Sequence, residues 1–164
     1  MDKVFILWLG VSNMIPESRL IRSELVLRDM ALPQEVLLAR KSLVRWVALS
    51  LGLILPNESR TLLLDVLDAL IYFHVKKESP TTKDILERLA AETREKPNAK
   101  AVYYHLLRLK NAGMLTRKKG RYALSEEEGK SLDSLFRDFY FHKADSAFNN
   151  IGAALKKLED SYNL

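Results

Sequence analysis

Residues 99–124 read AKAVYYHLLRLKNAGMLTRKKGRYAL and contain the clearest structural signals of the chain. Its first half repeats apolar residues at helical spacing until Gly113, the residue type that commonly follows a helix end. The apolar face carries Val102, Leu106 and Leu109. After Gly113 the apolar period falls to about 2, the period of a strand, and Lys-Lys-Gly interrupts it as a tight turn. We therefore predict a helix over 99–112 and a hairpin with strands at 114–117 and 121–124.

Four further helices are predicted on the N-terminal side of this stretch. Apolar residues recur at helical spacing over 59–76 and again over 83–92. Further upstream, the segment 18–30 mixes apolar and charged residues in a helical pattern, and another helix is expected over 33–55, between two prolines. Residues 1–57 are therefore expected to form an N-terminal helical arm.

Apolar residues continue at helical spacing after the hairpin, over 132–158, behind the acidic run 126–128. A compact core has too little surface to bury so long a stripe, and an exposed stripe of this length is an aggregation hazard. This predicts a C-terminal helix over 129–164 that pairs with a second copy of the chain in a homodimer. The alternative is that this segment folds back on the apolar residues 42–55 of the same chain.

The order of the predicted elements defines the fold class, which is mainly α with a small β-hairpin. Two helices, a turn, a third helix and a two-stranded hairpin form the order of a winged helix-turn-helix core, predicted here over 58–128. The arm 1–57 and the C-terminal helix 129–164 are expected to be helical extensions of that core.

Positive charge is concentrated in the middle of the chain. The formal net charge is +5, but residues 59–122 alone carry 14 Lys/Arg against 7 Asp/Glu, whereas residues 123–164 carry 5 against 8. A basic centre between a near-neutral start and an acidic end predicts a surface that binds a polyanion. The alternative is a solvated, lysine-rich face without a ligand.

The residues expected to face a polyanion follow from helical phase and from the hairpin. At about 100° per residue, the side of the helix 99–112 opposite its apolar face carries groups suited to phosphate and base contacts. These are Lys100, Tyr104, Arg108 and Asn111, with Asn98 just before the helix. The hairpin adds Arg117, Lys118, Lys119 and Arg121. Such a hairpin can follow a sugar-phosphate backbone or enter a minor groove.

The same stretch resembles DNA-binding regulators. Residues 104–106 (YHL), with Leu109 and 112–115 (AGML), resemble the end of the recognition helix of ArsR-like repressors. Residues 102–109 are also similar to the third helix of PadR-like regulators. The run 122–129, YALSEEEG, looks like the wing exit of winged-helix regulators.

The resemblance covers roughly 70 residues, about 40% of the chain, and implies a winged helix-turn-helix domain that binds DNA and regulates transcription. Two features depart from it. Residues 93–98 form a connection longer than the turn of a simple helix-turn-helix, and the N-terminal arm has no counterpart.

We therefore expect a homodimeric transcription regulator that reads double-stranded DNA, with the helix 99–112 in the major groove and the hairpin 114–124 on the flanking backbone. Two other classes stay open. Winged helices also serve as protein-interaction modules of larger assemblies, and the same basic patch can bind RNA. Whether a small molecule or a protein acts as an effector is open as well.

Other classes of function are not expected. The chain has no nucleophile-base arrangement and no phosphate-binding glycine loop, so we do not expect an enzyme. With no cysteine and only His74, His105 and His142, neither a metal site nor another cofactor is expected. The apolar runs 4–11 and 42–55 are too short to span a membrane, and the first lacks a signal-peptide cleavage site. A cytoplasmic protein is therefore expected.

Overall fold

The structure is a computed structural model that describes residues 15–59 and 62–163. Within these residues, a 3-10 turn at Pro16–Leu20 precedes six α-helices and one antiparallel hairpin. The helices are α1 (Gln34–Leu37), α2 (Arg40–Ser50), α3 (Leu62–Val75), α4 (Thr82–Thr93), α5 (Ala99–Asn111) and α6 (Leu132–Tyr162). The strands are β1 (Thr116–Lys118) and β2 (Arg121–Ala123), between α5 and α6. The prediction of a mainly helical fold with a small hairpin is confirmed.

Two findings bear on the predicted apolar runs. The run 4–11 lies outside the described residues. The run 42–55 is divided between α2 and the turn that follows it. Across the two described ranges, no helix is both long enough and apolar enough to cross a membrane.

Helix α3 is the centre of the core. Its sequence, LLLDVLDALIYFHV, is apolar on most sides, as expected of a helix with several neighbours, and it packs against α2, α4 and α5. Its buried residues are Leu63, Val66, Leu67, Ala69, Leu70 and Phe73. Helix α5 turns its predicted apolar face, Val102, Leu106 and Leu109, into the same core.

A capping box sets the turn between α3 and α4. The Thr81 hydroxyl accepts a hydrogen bond from the Asp84 backbone N–H at 3.3 Å, and the Asp84 carboxylate accepts one from the Thr81 backbone N–H at 2.8 Å. The Thr81 backbone bond, with a second bond from the Thr81 hydroxyl, lowers the pKa of Asp84 because both favour the carboxylate. Helix α4 therefore begins at a defined residue, and the turn before it has a defined shape.

Helix α5 is closed at both ends by specific bonds. The Asn98 side-chain oxygen accepts a hydrogen bond from the Ala101 backbone N–H at 3.1 Å, which makes Asn98 the N-cap. Gly113 follows the helix at φ +79°, and the N–H groups of Gly113 and Met114 donate to carbonyls of the last turn. The predicted helix end before Gly113 is confirmed.

The hairpin is docked on the turn between α3 and α4. Its three-residue strands are one residue shorter than predicted, and Arg117 lies opposite Tyr122 in their register. The Tyr122 backbone N–H donates to the Pro80 carbonyl at 2.8 Å, and Thr81 forms an isolated β-bridge with Arg121. The buried Tyr122 side chain adds an apolar anchor, so the base of the hairpin is held by the core.

The predicted helix over 18–30 is wrong. Beyond the 3-10 turn, the chain has no regular secondary structure until α1. The Arg28 backbone N–H donates to the Ser50 carbonyl at 2.8 Å, and its guanidinium donates to the carbonyls of Leu49 and, at 3.1 Å, of Ile54. Carbonyl groups at a helix end lack intrahelical donors, so they are free to accept these bonds from Arg28. The bonds favour a non-helical conformation of the segment around Arg28 over a helical one.

The predicted helix over 33–55 is broken in two. Ala39 has an extended backbone (φ −128°, ψ 118°), which separates α1 from α2. Helix α2 then ends at Ser50, ahead of the predicted end. Its buried residues Val44 and Ala48 pack into the core, so the predicted N-terminal arm is only partly helical and is partly core.

Helix α6 begins later than predicted and consists of two different halves. Ser131 is the helix cap, and Ser125 accepts a hydrogen bond from the Glu127 backbone N–H at 3.1 Å in a local turn before it. In the first half, the buried Tyr140 donates from its hydroxyl at 2.7 Å to the carbonyl of Leu51, the C-cap residue of α2. From Asp145 onward, every described residue is exposed. The first half thus folds back on α2, and the second half packs on nothing in the described chain.

Candidate nucleic-acid interface

One side of α5 is open to solvent. Lys100, Tyr104 and Asn111 are exposed on it, opposite the buried apolar residues of the same helix. Tyr104 is 59% exposed, and its ring forms a T-shaped contact with that of the buried His105, with the ring centroids 5.5 Å apart. These three side chains offer an ammonium, a phenol and an amide, which are groups that bond to phosphates and base edges. The structure thus brings three of the predicted residues to one exposed side.

Two other predicted residues on α5 have partners within the protein. Arg108 donates from Nη2 to the Leu53 carbonyl at 3.3 Å and so leans toward the segment after α2. Asn98 uses its side-chain oxygen as the helix cap. Arg108 is exposed and has further N–H donors, so it can contact a nucleic acid while one N–H bonds the Leu53 carbonyl. Asn98 can donate from its amide nitrogen while its oxygen caps the helix.

The hairpin turn holds a lysine in a strained backbone conformation. Lys119 has φ +48° and Gly120 has φ +77°, so both turn residues are left-handed, as a type I′ turn requires. Glycine adopts this conformation freely, but a residue with a Cβ atom adopts it at a cost of roughly 1–2 kcal/mol. The Lys119 side chain is exposed, so the turn presents a cation despite this strain.

We expect Lys119→Asn to stabilise the fold and to weaken binding to a polyanion. Asn-Gly is the favoured pair in type I′ turns, so the free energy of unfolding should rise by about 0.5–1 kcal/mol. The lost charge should make the log–log salt dependence of DNA binding shallower by about 0.9 if the lysine contacts a phosphate. Urea denaturation and DNA titrations at several salt concentrations measure the two effects. The control Lys119→Gln should change the salt dependence equally without stabilising the fold.

The strands of the hairpin add two more exposed cations. The Arg117 guanidinium lies 5.4 Å from the centre of the Tyr122 ring. The Lys118 ammonium lies 2.6 Å from a carboxylate oxygen of Glu126, and both side chains are exposed. Because an exposed ion pair stabilises a protein by at most about 1 kcal/mol, a phosphate can replace this carboxylate at little cost.

Arg121 holds the hairpin rather than extending from it. Its Nη1 donates to the Ser79 carbonyl at 2.9 Å, and its charge lies close enough to Asp84 to lower the pKa of that carboxyl slightly further. These contacts tie strand β2 to the turn between α3 and α4. We therefore separate Arg121, as a positioning residue, from the other hairpin cations Arg117, Lys118 and Lys119.

The sequence prediction left out two exposed cations, Lys96 before α5 and Lys110 near its end. A simple signal identifies them, because residues 96–125 contain eight Lys/Arg and no Asp/Glu. Some exposed cations of this run make no hydrogen bond to a backbone carbonyl. We call this set the basic surface. It consists of Lys96, Lys100, Lys110, Arg117, Lys118 and Lys119.

The acids of the helical core are grouped elsewhere. Asp68 on α3 and Glu92 on α4 both pair with Arg40 of α2, at 3.3 and 3.1 Å. Asp65 lies in the same group, and burial, followed by the Asp68 and Glu92 charges, raises its pKa despite nearby Lys41. These carboxylates thus lie on α3 and α4, where Arg40 partly neutralises them, and not on α5 or the hairpin.

The basic surface and the exposed side of α5 together offer positive charge and hydrogen-bond donors. Over residues 15–59 and 62–163, no three His, Asp or Glu side chains are grouped as metal ligands would be. The donors available are ammonium, guanidinium, amide and phenol groups, which suit an anionic polymer.

Searches against protein-family models, curated proteins and solved structures find no match for this chain.

Proposed function

We propose that this chain is a winged helix-turn-helix protein that binds duplex DNA and regulates transcription. The observation that carries the proposal is the acid-free run 96–125, because it coincides with α5 and the hairpin. Those are the elements that a winged helix places in the major groove and on the flanking backbone. The order α3, α4, α5 and hairpin supports the same assignment, as does the docking of the hairpin on the turn between α3 and α4.

In this proposal the two elements divide the work of recognition. Helix α5 turns Tyr104 and Asn111 toward base edges, where an amide can pair with adenine, and Lys100 toward a phosphate. The hairpin cations Arg117 and Lys119 neutralise phosphates and release counterions, which supplies most of the sequence-independent affinity. The core holds the two elements at one relative orientation, so both reach the same duplex.

A protein-interaction module is the second candidate, and one observation favours it. Tyr103 and Leu107 lie one turn apart on α5 and are 46% and 42% exposed. An apolar pair on an exposed helix is typical of a surface that a partner protein covers. In a DNA groove, by contrast, apolar side chains contact chiefly thymine methyl groups.

Titration with labelled nucleic acids distinguishes these candidates. Duplex DNA, duplex RNA and single strands of equal length are each measured at about 50 and about 200 mM salt. We expect duplex DNA to bind most tightly and its affinity to fall by about 10³-fold between these salt concentrations, if six cations contact phosphates. Tighter binding of an RNA would assign an RNA-binding function. No binding at the lower salt concentration would contradict the proposal and favour the protein-interaction module.

Selection from a random pool of duplexes then tests the regulatory part of the proposal. A regulator must prefer its site over the many competing sites of a genome. We expect an enriched sequence, with the enriched positions lying in the major groove contacted by α5. A pool that stays random after repeated rounds would leave general DNA binding and remove sequence-specific regulation.

A further inference from the structure

Helix α6 carries a second apolar stripe that does not pack into the core of the same chain. The stripe alternates spacings of three and four residues over three heptads, which is the pattern of a two-stranded coiled coil. Its members are Phe141, Ala144, Phe148, Ile151, Leu155, Leu158 and Tyr162. We call these seven residues the α6 seam. All of its members except Ala144 are large, and each of those six is between 50 and 82% exposed.

The α6 seam is distinct from the side of α6 that packs on the core. That side runs along the helix through Leu135 and Phe139, which join the core cluster, to Lys143. Its continuation at helical spacing, Ser146, Asn150 and Ala153, is polar or small. The core-facing side therefore ends where the core ends, while the seam continues for about another 27 Å of helix.

The seam also continues into the globular part of the protein. An apolar groove of about 520 Å³ opens between α6, α2 and α3. Its walls include Trp46, Ile71 and Phe136, and the seam residues Phe141 and Ala144 form its edge. One apolar surface thus runs from the groove along the exposed half of α6.

We propose that two copies of this chain join through a parallel coiled coil along the α6 seam, so that the grooves of the two copies face each other at its N-terminal end. A second copy is the occupant that this pattern fits, because a heptad seam is complementary to itself in register. Small residues at Ala147, Ala154 and Ser161 lie beside the seam and allow the two helices to approach closely.

Charges beside the seam favour the parallel orientation. Asp145 and Glu159 occupy equivalent flanking positions, two heptads apart. In an antiparallel pair, every seam residue meets a seam residue of the other copy only when 144 lies opposite 158 and 148 opposite 155. In that register, Asp145 of one copy lies beside Glu159 of the other, and like charges repel. In the parallel register, the flanking contacts pair Ala147 with Gly152 and Ala154 with Glu159, so no like charges meet.

Sedimentation of the full chain at micromolar concentration tests the pairing. We expect a dimer for the unchanged protein, and a dissociation constant at least about 100-fold higher for Phe148→Glu/Leu155→Glu, because unpaired carboxylates enter the seam. The matched control, Ser146→Glu/Ala153→Glu, adds the same charge on the opposite side of α6 and should remain a dimer. Circular dichroism checks that both variants keep their helix content. A monomeric unchanged protein overturns the proposal and would mean that another occupant covers the seam.

Cysteine cross-linking tests the orientation, since the chain contains no cysteine and each variant has a single thiol. Ala144→Cys and Leu158→Cys should each form a disulfide-linked dimer under mild oxidation, because a parallel seam places each residue against its own copy. Ser146→Cys, on the outer side, should stay unlinked. If neither seam variant links alone but a mixture of Ala144→Cys and Leu158→Cys does, the helices are antiparallel and the proposal is overturned.

The pairing and the DNA-binding proposal fail separately. Both pairing experiments are done without nucleic acid, so a protein that does not bind DNA can still show the seam dimer. Conversely, the monomeric Phe148→Glu/Leu155→Glu variant keeps the basic surface and should still bind random duplex DNA. Its loss should be confined to selected sites, where two coupled copies of α5 contact two half-sites.

Discussion

Changing Lys100, Arg117 and Lys119 together to Gln is expected to weaken binding to any duplex DNA by roughly 100-fold at about 0.15 M salt. Each lost phosphate contact makes the log–log salt dependence shallower by about 0.9, so three contacts should reduce it by about 2.7. The three side chains are exposed and, within the described residues, take part in no ion pair, so the fold should be unaffected. Titration of a random duplex over a range of salt concentrations measures both quantities.

The control for this prediction removes the same charge elsewhere. Arg45, Lys156 and Lys157 are exposed and lie outside the acid-free run. Changing them to Gln should leave the salt dependence close to that of the unchanged protein, because screening limits their action over more than about 10 Å at 0.1 M salt. Equal losses from the two triple variants would show that net charge alone attracts DNA, and would remove the basic surface from the binding account.

The largest effect on stability is expected at the centre of α3. Leu67 is 1% exposed and lies in the helix that packs against α2, α4 and α5. Leu67→Ala should lower the free energy of unfolding by about 2–5 kcal/mol, since it removes buried methyl groups and leaves a cavity. That is a large part of the roughly 5–15 kcal/mol that stabilises an ordinary domain. Urea denaturation followed by circular dichroism measures the loss.

An exposed leucine provides the matched control for this substitution. Leu38 is 83% exposed, so Leu38→Ala should change the free energy of unfolding by no more than about 0.5 kcal/mol. Similar losses at the two positions would contradict the central place of α3 in the core. DNA binding by Leu67→Ala should fall only with the folded fraction, because Leu67 does not reach the basic surface.

The elements around the candidate site were predictable because their signals are local. The helix 99–112 is marked by apolar spacing and by Gly113, and the hairpin by a change of period and a Lys-Lys-Gly turn. Each signal acts over a few residues and does not depend on the rest of the chain. Helical phase likewise placed Lys100, Tyr104 and Asn111 on the exposed side of α5.

The partners of the arginines were not predictable in the same way. Helical phase puts Arg108 near the exposed side of α5, yet its guanidinium donates to the Leu53 carbonyl. Arg121 reads as a hairpin cation, yet it bonds the Ser79 carbonyl. Both carbonyls are brought within reach by packing between segments more than 40 residues apart in sequence. A pattern that covers one element does not contain that information.

Residues that are neighbours along the chain specify the helices α3, α4 and α5 and the hairpin. They also specify the concentration of positive charge in 96–125 and the heptad spacing of the α6 seam, so all of these follow from local sequence. Long-range packing decided that the segment 21–33 is not helical, since Arg28 and Trp46 donate hydrogen bonds to carbonyls of distant segments. It also decided which side of α6 the core covers and which it leaves exposed, because burial depends on the surfaces that long-range packing brings together.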